Sequence, residues 1–460
     1  MDSGSSVGEL SGHIKPVTTI SFKQSRPYRV ASGSEDFHVN WYEGPPFKFK
    51  QKFSSHTRFV NSVRFSPNGN LLASAGSDKQ LILYDGKTGQ QVAAVTGHDG
   101  GIYGVSWSPD SSKILTASAD KTCKIWDANT QQVITTFKFG NTVENQQLGC
   151  LWQGNYLLSV NLSGHITYLN ENDASQPIRV LKGHNKFVTS LAVDRANNKV
   201  ISGSYDATVT KWDIETGAND NFSGGVHTNQ VTQLAIDGNT LISSGFDDSV
   251  RSANAAGLEY GANAVKTDAP TVGVASRNGV TVAVSLKSVF VIQNGNVAQT
   301  VAVNWDPQSV AINPAGNEVA VGGGDNNIHL YTLNGTSLTE KGVLEGHRGP
   351  VSCVNYAANG DLASGGKDRN VFVWRNGQNI INGWVFHAAV ITDVAWSPNS
   401  ERIASSSQDQ HLIIWNVNDK SKYTLIRGAH RGGANRVAWA DDNTVFSAGQ
   451  DCTVKSWRID

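Results

Sequence analysis

His98, Thr116 and Asp120 place an imidazole, a hydroxyl and a carboxylate in one short stretch of chain. These are the groups of a hydrolase triad, in which a carboxylate orients an imidazole that takes the proton of a hydroxyl nucleophile. The set is not unique, and it comes with an aromatic: Trp126 follows Asp120 by six residues. His184, Ser202, Asp206 and Trp212 repeat the arrangement, as do His347, Ser364, Asp368 and Trp374. So do His387, Ser405, Asp409 and Trp415, and His430, Ser447, Asp451 and Trp457. An earlier copy carries Tyr in the Trp place: His56, Ser74, Asp78 and Tyr84. In all six the hydroxyl lies four residues before the Asp, and the His 21 or 22 before it. A catalytic set occurs once, whereas recurrence at a fixed period marks a repeat architecture. The expected role is therefore structural. An Asp in a turn accepts from the His ring, the ring bonds the hydroxyl, and the Trp N–H reaches that hydroxyl. Each buried polar group then has a partner, avoiding about 1–3 kcal/mol per orphaned group.

The elements that must hold these groups follow from the period. Asp78 and Asp120 are 42 residues apart, and Asp368, Asp409 and Asp451 follow at 41 and 42. With Gly97-His98 and Trp126-Asp127 as signatures, this is the WD40 pattern, four strands per copy forming one propeller blade. In the copy around Asp120, residues 102–107, 113–118 and 122–127 read as strands separated by Ser108-Pro109-Asp110 and Ala119-Asp120-Lys121 turns. No copy holds a helical pattern. Weaker copies fall on the same ruler: His13, Ser32, Asp36 and Tyr42; His227, Ser243 and Asp247, with Ala253 for the aromatic; Asp325 and Tyr331, with Val321 for Ser. Residues 137–170 fit a further copy, with Ser163 where Asp is expected, and residues 260–294 another, with Lys287 there. The total is eleven copies. The fold class is all-β, with tandem WD40 β-propellers.

Bulk composition agrees. Gly 46 and Trp 12 suit short strands and tight turns. A net charge of −1 gives no global pull toward nucleic acid or anionic membrane. Cys123, Cys150, Cys353 and Cys452 form no C-x-x-C pair, so neither a zinc nor a redox motif is indicated. No metal, cofactor or catalytic residue is expected. Met1 to Ser6 lacks the basic and apolar regions of a signal peptide, and no apolar run suffices for a membrane span. Sequons at Asn161, Asn221 and Asn334 are read as chance. Gly86-Lys87-Thr88 looks like the end of a P-loop, but Leu81 stands where its first Gly belongs. The expected class is a cytoplasmic binding protein without membrane insertion or nucleic-acid partner.

One connection is unusual. In Glu43-Gly-Pro-Pro-Phe-Lys-Phe-Lys50, Phe47 and Phe49 alternate with Lys48 and Lys50. An outer blade strand with Phe inward and Lys in solvent would read this way. So would a surface with aromatic anchors, to which Arg58-Phe59 and the acidic Glu35-Asp36 turn could contribute.

These stretches resemble the actin-interacting protein 1 family of WD proteins. The resemblance is carried by Gly33-Ser-Glu-Asp36, Glu43-Gly-Pro-Pro-Phe-Lys-Phe-Lys50, His56-Thr-Arg-Phe-Val60 and Ala119-Asp-Lys-Thr-Cys-Lys-Ile-Trp126. Gln146-Gln147-Leu148 with Leu151-Trp152, and Ser447-Ala-Gly-Gln-Asp451 with Ser456-Trp457, agree. It implies two seven-bladed propellers joined like a clamshell. It also implies a monomeric, non-enzymatic partner of actin filaments and cofilin at the actin cytoskeleton. Such a protein promotes filament disassembly and can cap barbed ends. The positions it points to are Glu35, Asp36, Phe49 and Phe59, with Phe47 and Arg58 as neighbours. The alternative is a generic WD scaffold or substrate receptor in a multiprotein complex. Counting back from the C-terminus, seven copies fill residues 177–460, a complete propeller. Four fill residues 1–176, a partial propeller three blades short of the family's, and an open arc of blades would expose sheet edges.

Overall fold

A computed structural model describes residues 9–459. The Met1–Ser6 segment considered above lies outside the described residues. The third copy shows why the chain folds as it does. Ile102–Trp107, Lys113–Ser118, Thr122–Asp127 and Val133–Lys138 form an antiparallel meander. Ile114, Leu115, Ala117, Cys123 and Ile125 are buried on both sides of the middle strands. One sheet therefore cannot bury its own faces and must be stacked on others. Among the described residues eleven sheets follow one another, nine of four strands, one of five and the last of three. Among the described residues the only helical element is the 3-10 turn Val143–Asn145.

The chain divides after Lys182 into two compact units. The first unit holds four sheets, beginning at Val17, Val60, Ile102 and Gln147. Neighbours are tied by bonds such as Trp107 Nε1 to the Arg64 carbonyl at 3.0 Å and Trp152 N to Ser106 Oγ at 2.8 Å. Val17 and Ile20 are exposed on the first sheet, and Leu148, Leu151 and Tyr156 on the fourth. Arg179–Leu181 is the outer strand of that fourth sheet, which carries the unit to Lys182.

The second unit holds seven sheets whose inner strands begin at Val188, Val231, Thr271, Pro307, Val351, Ile391 and Ala434. The last returns to the first: Asn435 Nδ2 donates to the Val188 carbonyl at 2.7 Å, and Arg195 donates to the Trp439 and Ala440 carbonyls. This is a closed seven-bladed propeller. Around its inner wall, hydroxyls bond the next blade's first strand: Thr189 to Val231, Thr232 to Thr271, Ser352 to Ile391, Thr392 to Ala434. The sixth sheet has a fifth, parallel strand, Ser223–Gly224, beside Glu259–Lys266.

Candidate functional site

The recurring sets are built as hydrogen-bond chains. In the third sheet the Trp126 indole donates to Thr116 Oγ1 at 2.8 Å, Thr116 bonds His98 Nε2 at 2.8 Å, and His98 Nδ1 meets Asp120 at 2.7 Å. An indole N–H can only donate, so the hydroxyl accepts there. The Asp120 carboxylate can only accept, so His98 Nδ1 carries the proton between them, and in the neutral ring Nε2 accepts from the Thr116 hydroxyl. The sets at His347, His387 and His430 have the same geometry. Burial lowers the affinity of His430 for a proton, although Asp451 opposes it. Burial alone would raise the Asp120 carboxyl; bonds from His98, Thr122 and the Asp99 N–H outweigh it and hold the group well below the ordinary range. The geometry is that of a hydrolase triad, but Thr116, Ser202, Ser364, Ser405 and Ser447 are fully buried and already accept an indole N–H. No substrate carbonyl can reach them. The Gly of the Gly-His signature has its own cause: a Cβ on Gly97 would lie 3.0 Å from the Trp126 ring.

Several copies depart from the pattern. His184 Nδ1 meets Thr208 Oγ1 at 2.9 Å, and Thr208 in turn donates to Asp206; the direct His184–Asp206 separation is 3.6 Å. Ser202 still receives the Trp212 indole. In the sixth sheet, where Ala253 stands in the aromatic place, Tyr260 of the next strand brings its hydroxyl to Ser243 at 3.0 Å. In the seventh, Lys287 has no anchoring role; Asp268, from the preceding loop, accepts from Ser285 and Ser288, both at 2.7 Å. In the eighth, Trp305 stacks on His329 at 3.7 Å, and His329 Nε2 meets Asp325 at 3.1 Å. Asp85, before the P-loop-like Gly86-Lys87-Thr88, accepts from the Lys87 and Thr88 N–H groups, forming a turn and no phosphate cradle.

The six surface candidates fall into three places on the first sheet and the loop that leaves it. Glu35 lies in the turn between Arg29–Ser34 and Val39–Glu43, at the end of the sheet facing Arg58 and Phe59 in the loop before Val60. Glu35 is half-buried, and Arg58 and Phe59 are exposed. Phe47 lies at the opposite end, packed edge-on against Phe22 at 5.7 Å, and Phe22 stacks on Tyr28. Phe49 is 50% exposed on the outer strand, with its ring against Tyr42. A register shift explains its exposure, since Trp41 faces Gln51 while Tyr42 faces Phe49. The bulge interrupts the alternation that keeps Phe53 buried. Lys48, Lys50 and Lys52 are exposed.

Asp36 must be withdrawn from the surface set. Its side chain is 2% exposed and bonds His13 Nδ1 at 2.9 Å and the Ile14 and His38 N–H groups. It is the anchoring Asp of the first copy, and the acceptor capacity it would offer a partner is spent within the sheet.

Phe37 was not among the candidates. It is exposed, and its ring lies 5.7 Å from that of Phe59. Its φ is +75°, the left-handed region. The residue after the turn Asp adopts that region in many copies, but there it is Lys79, Lys121, Ala207, Asp248, Asn326, Arg369, Gln410 or Cys452. A bulky aromatic held so costs about 1–3 kcal/mol, and such strain concentrates at working surfaces. The signal was in the sequence: an aromatic in a turn that elsewhere carries small, polar or charged residues.

Comparison with known proteins agrees with these divisions. The WD domain, G-beta repeat family matches residues 4–43, 47–85, 89–127, 175–213, 338–375, 380–416 and 420–458. The unmatched stretches hold the fourth, sixth, seventh and eighth sheets, where the set is altered. Over its whole length the chain is 48% identical to the 66 kDa stress protein of Physarum polycephalum, covering 78% of that protein. It is 43% identical to WD repeat-containing protein 1 of Gallus gallus and 40% identical to actin-interacting protein 1 of Drosophila melanogaster, covering 77% of each. With full-length identity at that level and the repeat signature in place, the chain belongs to the WD-repeat family of WD repeat-containing protein 1 and actin-interacting protein 1.

Proposed function

We propose that this chain binds actin filaments and, together with cofilin, promotes their disassembly, acting as a monomeric binding platform of the cytoplasmic actin cytoskeleton. The observation that carries the reading is likeness, over the whole of this chain and 77% of the relative's length, to a protein named for its interaction with actin. The contact surface we assign is the end of the first sheet bearing Phe37 and Glu35, with Arg58 and Phe59 on the loop beside it and Phe49 on the outer strand. Exposed aromatics beside charged groups are the usual anchors of protein interfaces. Capping of barbed ends would use the same platform.

Co-sedimentation with actin filaments, with and without cofilin, tests this. The chain should pellet with cofilin-decorated filaments, and Phe59→Ala or Phe49→Ala should reduce pelleting roughly tenfold, the scale of one interface anchor. Melting should be unchanged, because both rings are exposed. Absence of cofilin-dependent pelleting would reject the reading in favour of a general WD scaffold. A sharp drop in melting for Phe49→Ala would return that residue to the fold.

A further inference from the structure

The channel of the second unit is crossed by one arginine. Arg436 springs from the last inner strand. Its Nε donates to the Thr189 carbonyl at 2.9 Å, Nη2 to Thr232 at 3.2 Å and Nη1 to Thr392 at 3.2 Å. Those carbonyls belong to three other blades. The guanidinium borders two cavities: one of about 420 Å³ on the side of the turn-Asp loops, and one of about 510 Å³ on the other.

The first cavity has two features that ring closure does not require. Phe187, Tyr205 and Phe246 line it while standing between 40% and 49% exposed. Tyr205 and Phe246 each directly precede a turn Asp, so they sit at its rim. Its remaining lining is largely neutral and includes the amides of Gln408 and Gln450, with Arg436 as its one charged group. Asp393, the ion-pair partner of Arg436 at 3.9 Å, lines the opposite cavity and accepts from the Val437 N–H. A guanidinium has five N–H donors, and the three carbonyls leave capacity unused. A cation at the floor of an aromatic-rimmed cavity whose lining contains no acid favours a carboxylate.

We propose that this mouth of the second unit docks an acidic peptide segment, one carboxylate bonding Arg436 while a neighbouring apolar side chain packs on Phe187, Tyr205 and Phe246. Selection from a random-peptide phage library against the whole chain, followed by anisotropy titration of the enriched peptides, tests it. Enriched peptides should carry Asp or Glu beside an aromatic or aliphatic residue. Converting that acid to its amide should weaken binding roughly tenfold, as should the Tyr205→Ala, Phe246→Ala double substitution, each removing one anchor. Melting of the double variant should be unchanged. Arg436→Gln should abolish the preference for acid over amide; if it opens the ring, the double variant decides. No enrichment, a neutral or basic consensus, or binding indifferent to the double substitution would overturn the proposal.

Discussion

The third and eighth sheets place an Asp at the same point of the same turn, yet the two carboxylates do different jobs. Asp120 accepts from His98 and the Asp99 N–H, more than twenty residues away in sequence, as well as from Thr122 in its own turn. It ties two separate loops together. Asp325 accepts from Asn327 and His329, both within four residues, and is partly exposed. It organises only its own turn, and the loop before it is held by the Trp305–His329 stack. The repeat preserves a position, but the energetic weight of that position depends on whether its partners are distant.

The largest effect should come from Asp120→Ala. It leaves the buried His98 Nδ1–H with only Thr122 Oγ1, at 3.2 Å, and turns the exposed Asp99 N–H over to water, so at about 1–3 kcal/mol for the one buried group the loss should be about 2 kcal/mol. Urea unfolding measures it, and a loss below about 1 kcal/mol would break the comparison. Acid should come next. The Asp409 carboxyl is held at about 2 against its ordinary 3.8; burial opposes this shift, and His387, the Ala388 N–H and the His411 N–H produce it. A group depressed on folding stabilises fully above its unfolded value and stops doing so as pH falls through its folded value. The fold should therefore weaken below about pH 4 and continue to weaken toward about pH 2, and Asp409→Asn should flatten that limb. A melting temperature constant down to pH 2 would contradict it. Asp325→Ala should cost only about 1 kcal/mol, and a loss matching that of Asp120→Ala would show that the stack contributes nothing. Tyr260→Phe, which removes the hydroxyl reaching Ser243, should cost about as much. The smallest change has the opposite sign. Phe37→Asn relieves a left-handed aromatic and should stabilise by about 1 kcal/mol or less while weakening filament pelleting. If it destabilises, Phe37 belongs to the packing and not to the surface.

Much of this was legible because it is periodic. The spacing predicts strands over residues 102–107, 113–118 and 122–127, and the structure has strands there, since three elements and two turns recur on one ruler. The copies that lack a signature residue are visible in the sequence, but their repairs are not, nor is the Thr208 relay in the fifth copy, whose signature residues are all present. Tyr260 comes from the following strand, Asp268 precedes Ser285 instead of following it, and Trp305 replaces a histidine with a ring that only stacks. Each repair restores the physical function from a different sequence position, which a fixed spacing cannot find. Asp36 was misassigned for a related reason: the family resemblance and the repeat claimed the same residue, and the hydrogen-bond geometry follows the repeat.

Closure of the second ring sets a timetable for biosynthesis. Asn435 meets Val188 across 247 residues. At roughly 5–20 residues per second, the ribosome needs about 12–50 s to deliver the strand that completes the circle. During that interval the earlier blades stand with open flanks, available to the wrong neighbour. A nascent chain arrested before Asn435 should therefore engage chaperones strongly, and release of those chaperones should coincide with emergence of the last blade.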